Sequence, residues 1–213
     1  MLRTIRILPL LLLVSGLEAA AQSQGPADLD SDYFTVGRYG LVSYPNVALL
    51  CPKQQPGNLF AACLSQAEVF QRARDHAAAE NKLLLVDYGA DSCIWCGVID
   101  QYFDGNIGIQ HESLDHLDFG FAKQLAETMA DNFILVHINS KKDAEARQVM
   151  AGLGAEDVVG GPIPTFIALD PASGATERAY LENAEKPVEG EFHGYDRSKL
   201  RAELRRTIEV LRK

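Results

Sequence analysis

The chain has 213 residues, of which 29 are acidic and 20 basic, and its formal net charge is −9. This length fits one domain with extensions and is enough to bury a core. The acidic balance disfavours nucleic acid and anionic lipid surfaces as partners.

The first 21 residues have the pattern of a secretory signal peptide. Arg3 and Arg6 supply the positive start, and residues 7–14 form an apolar run too short to span a bilayer as a helix. Ala19-Ala20-Ala21 then gives the small-x-small pattern that a signal peptidase accepts. We expect cleavage after Ala21, export across the inner membrane to the periplasm, and no stable membrane insertion afterwards. An uncleaved N-terminal anchor is the alternative.

Residues 22–64 predict an N-terminal extension that is partly irregular. Residues 22–32 are polar and lack periodicity, whereas residues 33–63 carry scattered apolar residues, three prolines, and Cys51 and Cys63. We expect this segment to pack on a larger unit.

From residue 65 onwards, helical and strand patterns alternate. Ser65, with Glu68 three residues later, forms a capping box that begins a helix running to about residue 80. The apolar runs 83–88 and 133–138 predict strands buried on both faces. Further helices are predicted at residues 98–103, 119–130, 141–153 and 196–213, and further strands within 160–170, at 176–181 and at 188–192. This order predicts an α/β fold with a parallel core and a late antiparallel hairpin at one edge.

The stretch DSCIWC, residues 91–96, carries the most informative spacing. Cys93 and Cys96 are three residues apart, a spacing that suits a redox dithiol, half of a zinc site, or two structural cysteines. A structural zinc ion would need two more ligands, from Cys51 and Cys63 or from His111 and His116. Eleven residues separate the outer cysteines, rather than two to four, so this spacing disfavours zinc. The polar cluster in the loop 104–118 is more typical of a solvated loop than of a metal site; it comprises His111, Glu112, Asp115, His116 and Asp118.

Three features resemble the thioredoxin superfamily over residues 65–213. Asp87 ends a buried strand six residues before Cys93, the sequence Ile163-Pro164-Thr165 opens a later strand, and a strand, Gly194 and a helix close the chain. The resemblance implies a thioredoxin-like fold, with a central mixed sheet flanked by helices and an insertion after the C-x-x-C helix.

The sequence also departs from that family. Gly89 stands where an aromatic residue is common, Ser92 stands where many members have Trp, and Trp95 lies inside the motif instead. Gln101 replaces a proline that usually kinks the helix. These changes reshape the surface around the cysteine pair, so the partners of the family cannot be transferred to this chain.

The resemblance implies an exported thiol–disulfide oxidoreductase that acts on protein disulfides, without a cofactor or a metal, and more as a reductase than as an oxidant. Cys93 is the expected nucleophile, because a helix N-terminus favours the thiolate. Cys96 is the expected resolving thiol, and Asp87 is the expected proton acceptor. The alternative for Asp87 is a purely structural role at the strand end. A reductant in this compartment needs an electron donor, for which we expect a membrane-bound reductase.

The resemblance also assigns the surroundings of the pair. Pro164 is expected in the cis form, leaving the backbone of Ile163 and Thr165 to bind a substrate chain, as in β-augmentation. We expect Trp95 on the same surface, because the motif is on an exposed turn; the alternative is that it plugs the start of the helix. His137 aligns with a family lysine and is expected either to modulate Asp87 or to be an ordinary strand histidine.

Cys51 and Cys63 are then left to form a structural disulfide, with a second redox couple as the alternative. Two rival functions remain open. One is the same chemistry run as an oxidase or isomerase. The other is a non-catalytic binding or chaperone module.

Overall fold

The computed structural model describes residues 30–107, 118–188 and 191–213. The predicted signal peptide lies outside these ranges, as do most of the loop 104–118 and the residues His111 to His116 within it. In the described ranges, no helix is long and apolar enough to cross a membrane.

The described ranges contain eight strands and six α-helices. The strands are β1 (Thr35–Val36), β2 (Val42–Tyr44), β3 (Leu83–Gly89), β4 (Phe133–Asn139), β5 (Thr165–Leu169), β6 (Thr176–Ala179), β7 (Glu185–Val188) and β8 (Glu191–Tyr195). The helices are α1 (Val47–Leu50), α2 (Gln66–Ala79), α3 (Ile94–Phe103), α4 (Asp118–Asn132), α5 (Asp143–Gly152) and α6 (Arg197–Leu211). Short 3-10 helices occur at Ser31–Tyr33, Glu156–Val158 and Leu181–Ala184.

Six of the strands form one mixed sheet in the order β1-β2-β4-β3-β5-β6. Strands β2, β4 and β3 are parallel, whereas β1, β5 and β6 pair antiparallel with their neighbours. Strands β7 and β8 form a separate hairpin. The predicted α/β architecture, with a mixed sheet between helices, is confirmed.

The two central strands divide the core into two layers. Every residue of β3 and β4 is buried, as their apolar sequences predict. Leu83 and Leu85 pack with residues of α3, α4 and α6, whereas Leu84 and Val86 pack with residues of α2 and α5. Because side chains alternate along a strand, Asp87 shares the face of Leu85. His137, directly opposite Asp87 in the register, is two residues from Leu135 on that same face.

The predicted helix starts are also confirmed. The Ser65 hydroxyl accepts a hydrogen bond from the Glu68 N–H at 3.5 Å, and the Asp196 carboxylate accepts from the N–H groups of Ser198 and Lys199. In α6, the predicted apolar face is buried at Leu200, Leu204 and Leu211.

Two segments differ from the sequence prediction. The extension is not only packed on the domain: β2 pairs in parallel with β4 and so extends the main sheet. At three residues, β2 is too short to show a strand periodicity. The single strand predicted at 188–192 spans the end of β7 and the start of β8, because the pattern there falls across the connection of a hairpin.

Candidate functional site

The two cysteines of the motif differ sharply in their surroundings. Cys93 is the N-cap of α3 and is partly exposed, and its sulfur accepts a hydrogen bond from the Cys96 N–H at 3.2 Å. Cys96 lies in the first turn and is fully buried. Their Cα atoms are 5.4 Å apart and their sulfurs are within bonding distance. The first N–H groups of a helix lack partners within the helix and favour negative charge, so this position stabilises a thiolate at Cys93.

Asp87 and His137 form a buried pair on the adjacent strands. The Asp87 Oδ2 and His137 Nδ1 atoms are 2.9 Å apart, and the two side chains are 1% and 3% exposed. The other carboxylate oxygen of Asp87 has no hydrogen-bond partner among the described residues. An acid this deeply buried is costly unless it is protonated or paired, and here only one of its oxygens is paired.

Charge and burial make this pair hold on to a proton. Burial raises the pKa of Asp87, against the opposing effect of its hydrogen bond to His137. Burial would lower the pKa of His137, but the carboxylates of Asp100 and Asp87 outweigh it and raise that pKa to about 10. His137 therefore keeps its proton at neutral pH, and the unpaired Asp87 oxygen can accept a further one.

Gly89 shows where this pair lies relative to Cys96. A Cβ atom at Gly89 would be 2.8 Å from the Cys96 sulfur, so this face of β3 approaches the buried cysteine. Asp87 is two residues earlier in the same strand and projects from the same face. Cys96, Asp87 and His137 thus share the face of the sheet that α3 covers.

The sequence analysis missed Phe60, which belongs to the site. A Cβ atom at Gly89 would lie 2.6 Å from the Phe60 ring, so the ring takes the space of a side chain at that position. Phe60 is 1% exposed, and its ring centroid is 5.3 Å from that of His137, in an edge-to-face arrangement. Gly89 was the signal in the sequence, because the resemblance to the thioredoxin superfamily leads us to expect an aromatic residue at this position. The glycine does not indicate which residue fills the space.

The extension is fixed directly to the cysteine motif. The Asp91 carboxylate accepts hydrogen bonds from the N–H groups of Leu59 and Phe60 at 2.9 and 3.1 Å. Cys51 and Cys63 are joined by a disulfide, with their Cα atoms 5.8 Å apart. Cys51 is buried in a small apolar cluster with Val47 and Ala61. The segment that carries Phe60 is therefore closed by a disulfide at its ends and bound to Asp91 near its middle.

The four predicted substrate-binding residues line one groove. It has a volume of about 130 Å³ and is bordered by Trp95, Ile163, Pro164, Thr165 and Tyr195, with Arg178, Glu182 and Glu185 adding charge that the sequence analysis did not assign. The Ile163–Pro164 peptide bond is cis. Thr165 is buried, and its hydroxyl donates to the Pro162 carbonyl at 2.8 Å.

The backbone of Ile163, on one side of Pro164, makes no backbone hydrogen bond within the described ranges. Strand β5 begins at Thr165, and no backbone hydrogen bond joins Ile163 to another residue of the described ranges. Ile94, at the start of α3, is 68% exposed. The groove therefore combines an aromatic ring with a stretch of backbone that has no partner, and the exposed Ile94 side chain is adjacent in sequence to Trp95 of the groove.

Asp100 is the other functional residue that the sequence analysis missed. Its Oδ1 atom lies 3.5 Å from His137 Nε2, on the side of the ring opposite to Asp87. The signal was present, because Asp100 follows Cys96 by four residues and so shares its helix face. Within the described ranges, no group of three or more His, Cys, Asp and Glu side chains is placed to hold a metal ion.

Comparison with known proteins gives no name for this arrangement: no protein-family model matches the chain, and no curated protein matches it significantly.

Proposed function

We propose that the protein is an exported thiol–disulfide oxidoreductase with a thioredoxin-like fold, acting on protein disulfides as a reductase. The observation that carries the proposal is the asymmetry of the cysteine pair. Cys93 is a partly exposed residue at a helix N-terminus, whereas Cys96 is buried on the sheet face that also carries the proton-holding Asp87–His137 pair. Two structural cysteines would need neither the partly exposed residue nor the buried acid.

The reaction follows from this asymmetry. The Cys93 thiolate attacks a substrate disulfide, forming a mixed disulfide and releasing one substrate sulfur as a thiolate. Cys96 then loses its proton to the Asp87–His137 pair and attacks the Cys93 sulfur. This forms the Cys93–Cys96 disulfide and releases the second substrate sulfur as a thiolate, which takes up a proton. Two electrons pass from the cysteine pair to the substrate, and two protein thiols become one disulfide.

The groove supports a polypeptide substrate. A substrate strand can hydrogen-bond to the unused backbone of Ile163, in the manner of an added strand, while Trp95 and Ile94 contact its side chains. The proposed direction rests on the similarity of Asp87 and the Ile163-Pro164-Thr165 sequence to reductants of the thioredoxin superfamily. A periplasmic reductant needs electrons from elsewhere, and we propose a membrane-bound reductase as the donor.

The test is reduction of insulin by the wild-type protein and by Cys93→Ser and Cys96→Ser variants. We expect the wild type to reduce insulin and Cys93→Ser to be inactive. Cys96→Ser should accumulate a mixed disulfide with its substrate, because the resolving thiol is missing, and mass spectrometry of that adduct would identify natural substrates. Equal activity of the wild type and Cys93→Ser would contradict the proposal and favour a binding module.

The direction is tested by titrating the Cys93–Cys96 pair against glutathione. We expect a reduction potential closer to the roughly −270 mV of thioredoxin than to the roughly −120 mV of the oxidant DsbA. A reduction potential near that of the oxidant would contradict the proposed direction and indicate that the same site works as an oxidase.

A further inference from the structure

We propose that the proton lost by Cys96 leaves the buried site through His137 and Asp100, into a cleft beneath the N-terminal extension. This inference rests on the proposed thiol–disulfide exchange and assigns Asp100 a role in its second step. It separates the path of the proton from the groove that binds the substrate.

The geometry places the three side chains in a row. Asp87 Oδ2 is 2.9 Å from His137 Nδ1, and Asp100 Oδ1 is 3.5 Å from His137 Nε2. The second separation is long for a direct hydrogen bond. His137 Nε2 is buried and has no hydrogen-bond partner among the described residues. An imidazole accepts a proton on one nitrogen and releases one from the other, so its position between two carboxylates suits a relay.

A cleft provides the exit. His137 and Asp100 line a cleft of about 310 Å³ whose other walls include Pro45, Val47 and Leu59 of the extension. This volume is far above the roughly 30 Å³ that one water molecule occupies in the liquid. The Asp100 side chain is 25% exposed, whereas those of Asp87 and His137 are nearly inaccessible. Asp100 is thus the member of the row that reaches solvent.

Carboxylates face His137 on two sides. Asp87 faces it from β3, Asp100 faces it from α3, and the extension contributes the Phe60 ring. Asp104 lines the same cleft, and the lining residues that the extension supplies are uncharged. When Cys96 is deprotonated, the Asp87–His137 pair gains its proton. The pair loses a proton again when His137 releases its Nε2 proton to Asp100 or to water in the cleft.

The test separates the two chemical steps with 5,5′-dithiobis(2-nitrobenzoate). The reduced protein releases one coloured thiolate when Cys93 attacks and a second when Cys96 resolves the mixed disulfide. We expect Asp100→Asn to slow the second release about tenfold at pH 7, below the range of about 10² to 10⁴ for a group that transfers the proton directly. The first release should keep the wild-type rate. The pH midpoint of the second release should move to lower pH, because removal of the Asp100 charge weakens the pair as a base.

Asp104→Asn is the matched control. Asp104 lines the same cleft, but its Oδ1 accepts a hydrogen bond from the Arg38 N–H at 2.8 Å, and asparagine can still accept that bond. We expect wild-type rates for both releases. Added formate should restore the second release in Asp100→Asn, since a small carboxylate can enter the cleft, and should leave the wild type unchanged.

Three outcomes would overturn the relay. They are an unchanged second release and pH midpoint in Asp100→Asn, equal slowing in Asp104→Asn, and slowing of both releases in Asp100→Asn. In each case the wild type still shows both releases, so the proposed function stands. A wild type that lacks the second release would instead contradict the proposed function itself.

Discussion

At the scale of single residues, the site depends on Phe60 and Gly89. The Phe60 ring fills the space that a side chain at position 89 would occupy. The Phe60 ring covers β3 beside Cys96 and His137 only because residue 89 has no side chain. The ring places an apolar surface beside the buried cysteine and His137, which strengthens the electrostatic interactions on that side.

A methyl group at position 89 should therefore disturb the site. In Gly89→Ala, the added carbon would meet the Phe60 ring at 2.6 Å and the Cys96 sulfur at 2.8 Å, so one of them must move. We expect a loss of about 1–3 kcal/mol in the free energy of unfolding, measured in urea, as for other overpacked cores. Gly97→Ala is the control, because its added carbon meets no atom within 4 Å apart from its chain neighbours and the backbone of its own helix, and alanine favours a helix. Equal stability of the two variants would contradict the close packing of Phe60 and Cys96 against residue 89.

The Asp87–His137 pair should make stability depend on pH. Burial opposes the charge on His137, but Asp100 and Asp87 raise its pKa to about 10, whereas an unfolded histidine titrates near about 6.5. A pKa that is higher in the folded state stabilises the protein fully below about pH 6.5, and this stabilisation is lost as the pH rises through about 10. Between pH 7 and 9 we expect the free energy of unfolding to fall by up to about 1.4 kcal/mol per pH unit.

The measurement is urea unfolding of the oxidised protein at pH 7, 8 and 9, beside a His137→Gln variant. The variant should show a flatter dependence, since glutamine does not titrate. If the free energy of unfolding falls equally steeply with pH in both proteins, groups other than His137 cause the loss of stability.

At the scale of elements, predictability followed length and periodicity. Strands β3 and β4 and helix α6 were predicted because each shows a buried run or a repeating apolar face over at least six residues. Strands β1 and β2 have two and three residues and no pattern to detect. The cysteine pair could be singled out by its spacing along the chain, and Asp87 by the resemblance to the thioredoxin superfamily. Phe60 could not, because its contacts with residues 89 and 137 depend on the tertiary fold.

The Cys51–Cys63 disulfide should stabilise the fold without taking part in thiol–disulfide exchange. It closes a loop with a sequence separation of 12, for which loss of the bond costs about 3 kcal/mol. We expect a Cys51→Ala/Cys63→Ala variant to lose about that much in urea unfolding while both releases of the nitrothiobenzoate assay persist. Loss of the second release at a temperature where the variant is folded would instead favour a second redox couple.

For the whole molecule, the extension is a part of the sheet. Strand β2 pairs with β4, and Tyr44 is 2% exposed with its hydroxyl 2.8 Å from His76 Nδ1 of α2. A boundary at residue 64 follows the sequence patterns but cuts through this pairing. The composition of residues 33–63 did not reveal that this segment forms part of the sheet, because its scattered apolar residues pack against strands that lie far along the chain.

Removal of the extension should therefore destabilise the fold. Without residues 30–64, the buried strand β4 becomes an exposed apolar edge, which promotes association between chains. We expect residues 65–213 alone to aggregate or to lack a cooperative urea transition, whereas residues 30–213 unfold cooperatively. Equal stability of the two proteins, measured by circular dichroism, would show that the extension does not stabilise the rest of the fold.

The shared space of Phe60 and Gly89 also constrains how the sequence can change over evolution. A larger residue at 89 and a ring at 60 exclude each other, so neither position can vary alone without a loss of packing. Among descendants of a common ancestor, substitutions at the two positions should therefore arise together. A lineage that acquired an aromatic residue at 89 would be expected to lose the ring at 60. The selection that maintains Asp91 and the disulfide in their present roles would be lost with it.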